Sequence, residues 1–162
     1  MVSYEKGDGQ INETIAQSFE LLYNSSLSMP ADCAPKNVIN GQNRPTLTSL
    51  NGWASKRGLP ASITLTLKEA KEISEVRITT QVELSYPNYC FKQKTISTGT
   101  AEDLTVCLLQ NGVWNEVAHI KDNCFKQILV RFAKQPAEAV KITVNKSINS
   151  STAHITEVRI YE

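Results

Sequence analysis

The sequence holds neither of the glycine-rich loops that cradle phosphates. There is no GxGxxG after a strand pattern and no GxxxxGK[ST], so nucleotide sites of those kinds are excluded. Gly7 and Gly9 in GDGQ lack both a preceding strand and a third glycine. Neither a GxSxG elbow nor an HExxH helix occurs, which removes the usual hydrolase and zinc-protease signatures. Histidine is scarce: His119 and His154 are the only two. Both fall in predicted strands, where a lone imidazole is more often structural or solvent-facing than catalytic. Cys33, Cys90, Cys107 and Cys124 are the four cysteines, and no two have CxxC spacing, so a zinc knuckle or dithiol redox motif is excluded. A charge bias is missing too. With 17 basic against 16 acidic residues the net charge is +1, which is not the footprint of a nucleic-acid binder. No apolar run is long enough to span a bilayer. The first ten residues, MVSYEKGDGQ, are polar and do not read as a signal peptide. The chain therefore reads as cytoplasmic or as a piece of a longer exported protein, periplasmic or extracellular in that second case.

What is present suits one domain. At 162 residues, 41% hydrophobic and 20% charged, the chain can build an ample core. Residues 1–24 read as a lead-in, with Ile11, Ile15, Phe19 and Leu22 at helical spacing for a short helix; the alternative is a linker. The domain proper is expected over 25–162. Its organising stretch is KNVINGQNRPTLTSLNGWAS, Lys36 to Ser55. Its Asn, Gly, Pro, Thr and Ser content predicts a loop, while Val38, Ile39 and Trp53 are apolar enough to fold it back onto a core.

The period then changes to two. Strands are predicted at Ile63–Leu67, Glu75–Val82, Leu104–Gln110, Trp114–Ile120, Gln127–Phe132, Ala139–Asn145 and Ala153–Tyr161, with Ser25–Met29 as a further candidate. KEAKEIS, between the first two, reads as a charged turn. Asn111-Gly112 predicts a tight hairpin, since both central residues of a type I′ turn need positive φ. Glu83 to Asp103 is a long connection carrying Tyr86, Tyr89 and Phe91 around Pro87, and long ordered loops are often functional. Many short strands without a confident interior helix predict an all-β fold, an antiparallel β-sandwich jelly roll. Cys107 reads as a small buried apolar residue. For Cys33, Cys90 and Cys124, in predicted loops, free thiols and a disulfide both fit the spacing.

Four segments together resemble the discoidin, or coagulation-factor type C-domain, superfamily of galactose-binding-like modules. They are NVINGQNRP with GWAS (Asn37–Pro45, Gly52–Ser55), LPASITLTL (Leu59–Leu67), LTVCLLQNGVWNEVAHI (Leu104–Ile120) and AHITEVRIYE (Ala153–Glu162). Ser62 departs from the pattern where an aromatic is usual. More narrowly, NVINGQNRP, NGWAS, LPASITLTL and SEVRITTQVEL are similar to the C-terminal module of bacterial FAD-dependent oxidoreductases. That resemblance implies a non-catalytic accessory module, with no FAD in this domain, that docks on a parent catalytic domain or contacts a glycan. The alternative is a carbohydrate-binding module appended to a glycoside hydrolase.

The resemblance also implies a structural calcium ion where the rim loop meets the last strand. The matching positions are Asn40 (in place of aspartate), Glu157 and Thr48, and hard oxygen donors of this kind suit Ca2+. For a glycan, Tyr86, Tyr89 and Phe91 with Arg44 and Trp53 make the expected binding edge, aromatic faces stacking on sugars. The competing reading packs those aromatics onto the sandwich. Trp53 and Trp114 are expected foremost as core anchors.

Overall fold

A computed structural model describes residues 33–42, 51–56, 58–80 and 99–162. A short 3-10 turn spans Pro35–Ile39, at the start of the stretch Lys36 to Ser55 expected to be loop. Among the described residues six strands follow: β1 Trp53–Ala54, β2 Ala61–Thr80, β3 Ala101–Gln110, β4 Val113–Ile120, β5 Gln127–Ser147 and β6 His154–Tyr161. All pairings are antiparallel, in the order β1-β6-β2-β5-β3-β4.

Two strands are far longer than expected. The predicted strand Ile63–Leu67 and, of the predicted Glu75–Val82, the described part 75–80 belong to one strand, β2, and Gln127–Phe132 and Ala139–Asn145 are halves of β5; Gln81 and Val82 lie outside the described residues. The predicted charged turn is instead a corner. Register breaks between Thr66 and Lys71, and again between Ile73 and Glu75. These bulges bend both strands without ending their pairing. Pro136 sits opposite Glu72 at the corner, a position where a missing N–H is tolerated.

The corner makes two layers from one sheet. Beyond it, Ala61–Thr66 of β2 pairs with Ala139–Val144 of β5, followed by β3 and β4. On its other side, Glu75–Thr79 of β2 lies between Gln127–Arg131 of β5 and β6. Alternation points Ile63, Leu104, Val106, Leu108, Val140, Ile142 and Val144 inward from the first layer. From the second come Val76, Ile78, Ile128, Val130, Ile155 and Val158, and all join one core. Full burial of each such side chain contributes about 1.5–3 kcal/mol. Trp53 and Val38 close the core from the rim, as expected, whereas Ile39 points outward at 66% exposed.

Trp114 corrects the sequence reading. It is not a core anchor but sits on the outer surface, 37% exposed. The cause is a bulge. Val106 pairs with Ala118 but Cys107 pairs with Glu116, leaving Val117 extra. Trp114 shares parity with Ala118 and Ile120, which face the core side, so an unbroken strand would turn it inward. One extra residue flips everything beyond it. Cys107 likewise is half-buried rather than buried, and burial raises its thiol pKa. The expected hairpin is present, with Asn111 at φ 50° and Gly112 at φ 77°.

A Cβ at Gly112 would meet nothing within 4 Å, so the cost of a side chain there is purely backbone strain. Gly112→Ala is expected to lower stability by about 1–2 kcal/mol in urea unfolding, and Gly112→Asn by less, because Asn tolerates this region.

Candidate functional site

The two ends of the sandwich differ. At one end the β3–β4 turn meets the corner: Gln110 Nε2 donates to Gln135 Oε1 at 3.0 Å and to the Pro136 carbonyl at 2.8 Å, and the Asn111 N–H donates to Glu138 Oε1 at 2.9 Å. The other end gathers residues 40–42 and 51–52 of the rim with the connections 121–126 and 148–153, beside the β2 end at Thr80. These connections are tied to strand ends by backbone hydrogen bonds: Thr80 N–H to the Lys126 carbonyl (2.8 Å), Gly99 N–H to Ile148 (2.8 Å) and Ser55 N–H to Ala153 (3.0 Å). Such an end, loops on a rigid rim, is where binding residues concentrate.

Asparagines organise the rim. Asn40 Nδ2 donates to Asn51 Oδ1, Asn51 Nδ2 donates to the Gln42 carbonyl, and the Gln42 N–H donates to Asn40 Oδ1 at 2.8 Å. Asn37 Nδ2 reaches the Gly52 carbonyl at 3.3 Å. Short amide side chains compete well for loop backbone groups, which explains their density in this stretch. Asn51, at φ 37°, also supplies a left-handed turn that Asn accepts readily.

A second asparagine device lies opposite. Buried Asn123 donates from Nδ2 to the carbonyls of Ala101 (2.7 Å) and Phe125 (3.0 Å), while its Oδ1 accepts the Phe125 N–H (3.1 Å). This fixes the backbone around Phe125 and leaves its ring 70% exposed. Phe125 was not singled out from sequence. Its signal was DNCF, an Asx turn followed by an aromatic with no strand to bury it.

His154 starts β6 beneath the rim. It is buried, its Nε2 lies 2.6 Å from Thr152 Oγ1, and burial drives its pKa from 6.5 down to about 3. A Cβ on Gly99, itself at φ 84°, would come within 3.0 Å of His154 Nδ1, so glycine is needed there. His119 lies instead on an outer face, its Nε2 2.8 Å from Asp103 Oδ1, which also accepts Asn145 Nδ2 at 2.8 Å. These bonds, Asn145 first, hold the Asp103 carboxyl below its usual range.

Of the expected ligand edge, Trp53 is buried in the core at 8% exposure, while Arg44, Tyr86, Tyr89 and Phe91 lie outside the described residues. Of the expected calcium positions, Thr48 also lies outside them. Glu157 is 4% exposed and its Oε1 accepts Arg159 Nη2 at 2.8 Å; Asn40 Oδ1 is taken by the Gln42 N–H. A cation drawing on both would compete with these partners. Among the described residues no three His, Cys, Asp or Glu side chains cluster as metal ligands.

No family model matches the chain, and no curated protein matches it by sequence. Solved structures do. The family 32 carbohydrate-binding module of C. perfringens NanJ, in complex with galactose, matches with a TM-score of 0.62 at 22% identity, covering 82% of this chain and 88% of that one. The family 32 module of Streptococcus pneumoniae EndoD gives 0.64 at 12% identity, covering 84% and 90%. SpGH29 gives 0.63 at 19% identity, covering 83% of this chain but 25% of a much longer one.

Two predictions follow from the buried groups. His154 is neutral when folded but takes a proton below pH 6.5 when unfolded, so its contribution is complete above 6.5 and lost as pH falls toward 3. Relative to His154→Gln, the native chain should lose about 1.4 kcal/mol per pH unit across that window, read from urea midpoints at pH 7, 6, 5 and 4. Glu157→Ala takes the carboxylate partner from the half-buried Arg159 cation and is expected to cost about 2–3 kcal/mol by the same measurement at pH 7. At these identities the likeness is one of architecture: the chain has the galactose-binding-like β-sandwich fold.

Proposed function

We propose that this chain is a non-catalytic carbohydrate-binding module whose ligand site is the loop end of the sandwich. The observation that carries the proposal is Phe125, an aromatic ring left 70% exposed by the buried Asn123 turn, beside the β2 end where the Thr80 N–H donates to the Lys126 carbonyl. An uncovered ring on a fixed stretch of backbone is the elementary platform for the apolar face of a sugar. Tyr86, Tyr89, Phe91 and Arg44, expected from the sequence as ligand residues, are proposed to share the binding. Support comes from the fold likeness to the galactose-bound NanJ module.

The likeness to a quarter of SpGH29 supports the reading of an appended module, and a glycan-acting parent is preferred. A flavoenzyme parent, implied by the NVINGQNRP and NGWAS motifs, has no counterpart among the three neighbours named. The calcium clasp is not carried into this proposal, because Glu157 and Asn40 already serve the protein.

Binding is tested by titrating a galacto-oligosaccharide panel calorimetrically. Phe125→Ala is expected to weaken the best ligand at least about tenfold, the weight of one stacked aromatic, with an unchanged melting temperature. Equal affinity in the variant, or silence across the panel, overturns the proposal.

A further inference from the structure

The outer surface of the β4-β3-β5-β2 layer is a second, separate feature. Register and alternation set three rows of side chains across it: Trp114, Leu109, Ala139, Thr66; then Glu116, Cys107, Lys141, Thr64; then His119, Thr105, Thr143, Ser62. Four strands at about 4.8 Å spacing make a platform roughly 14 Å across. Trp114 lies on β4 and Lys141 on β5, two strands apart, yet the Lys141 ammonium sits 4.3 Å from the Trp114 ring centroid. The two side chains therefore reach over β3 toward each other.

Three facts single out this pair. First, Trp114 faces outward only because of the extra residue Val117; bulges occur at sheet edges, as on β4, and next to active sites, where they re-aim a side chain. Second, Lys141 forms no ion pair among the described residues, its cation resting on the π face alone. Third, the far side of the platform is an exposed file of hydroxyls, Ser62, Thr64 and Thr66.

A ring to stack on, a cation without a carboxylate and a row of hydroxyls define a ligand. It has an apolar ring face, a carboxylate and further hydroxyl groups. We infer that this face is a second glycan site, taking a uronate-containing polysaccharide with one sugar on Trp114 and its carboxylate at Lys141. The chain would cross the strands toward Thr64 and Thr66. Glu116, at the other end of the Lys141 row, repels the carboxylate and fixes its direction toward β5. The inference extends the carbohydrate-binding reading to a different surface and shares no residue with the loop end.

The test uses oligogalacturonate as probe and a neutral galacto-oligosaccharide as its companion arm. Trp53 is buried, so quenching of intrinsic fluorescence by oligogalacturonate reports Trp114. Lys141→Met is expected to weaken oligogalacturonate at least tenfold and abolish the salt dependence of binding. Trp114→Ala, read calorimetrically, is expected to lose at least tenfold as well. Neutral-sugar affinity should be unchanged in both variants, as should the melting temperature of Lys141→Met. Oligogalacturonate binding that both variants retain overturns the inference. So does the absence of acidic binding while the neutral sugar still binds, which leaves the loop-end proposal intact. Absence of binding in both arms overturns the two together. A Trp114→Ala change in oligomeric state without acidic binding also overturns this inference, marking the face as a contact between copies.

Discussion

The joint turning of β2 and β5 is the constraint on which the rest of the structure depends. Each strand passes from one layer to the other while staying paired to its neighbour, from Ala61 opposite Val144 to Thr79 opposite Gln127. Backbone hydrogen bonds continue past the corner, and the two inner faces are brought together over one core. The remaining strands then take the places left to them. β3 and β4 extend the first layer from β5, while β6 and β1 extend the second from β2. The loops gathered at one end inherit their positions from this arrangement.

Polar groups finish what the core begins. On the outer surface of the second layer, Glu75 accepts both Arg131 and Arg77, and Arg77 lies 4.6 Å over the Tyr161 ring. The two guanidinium groups, Arg131 first, keep that carboxyl below its ordinary range. Contacts as exposed as these orient side chains more than they stabilise the fold. The buried groups matter more: Asn123 and Glu157 each sit where an unmet hydrogen bond would be expensive, and each is met.

Much of this was legible in the residues. Alternation in LTVCLL and in ITVN marks strands whose one face is buried, and Asn111-Gly112 announces its turn because few other pairs accept its backbone angles. Trp53 reads correctly as an anchor of the rim. Most of what was illegible in the strands has one cause, the bulge. At the corner, Lys68 to Lys71 and Pro136 look like chain breaks, because a bulge suspends the period-two pattern without ending the strand. At Val117 a bulge reverses the phase, so parity counted back from Ile120 places Trp114 inside. Bulges depend on the partner strand and leave little trace in a single segment. Phe125 was missed for a different reason. Its setting depends on an Asn123 side chain reaching the distant Ala101 carbonyl, a contact that no local window contains.

The shared corner strands also bear on motion. Two sheets that merely stack can slip past each other by small sideways displacements, the shear mode of packed layers. Here both sheets are made from the same two lengths of backbone, so slippage would break the ladder that links β2 to β5. The mouth of the sandwich thus has a fixed aperture.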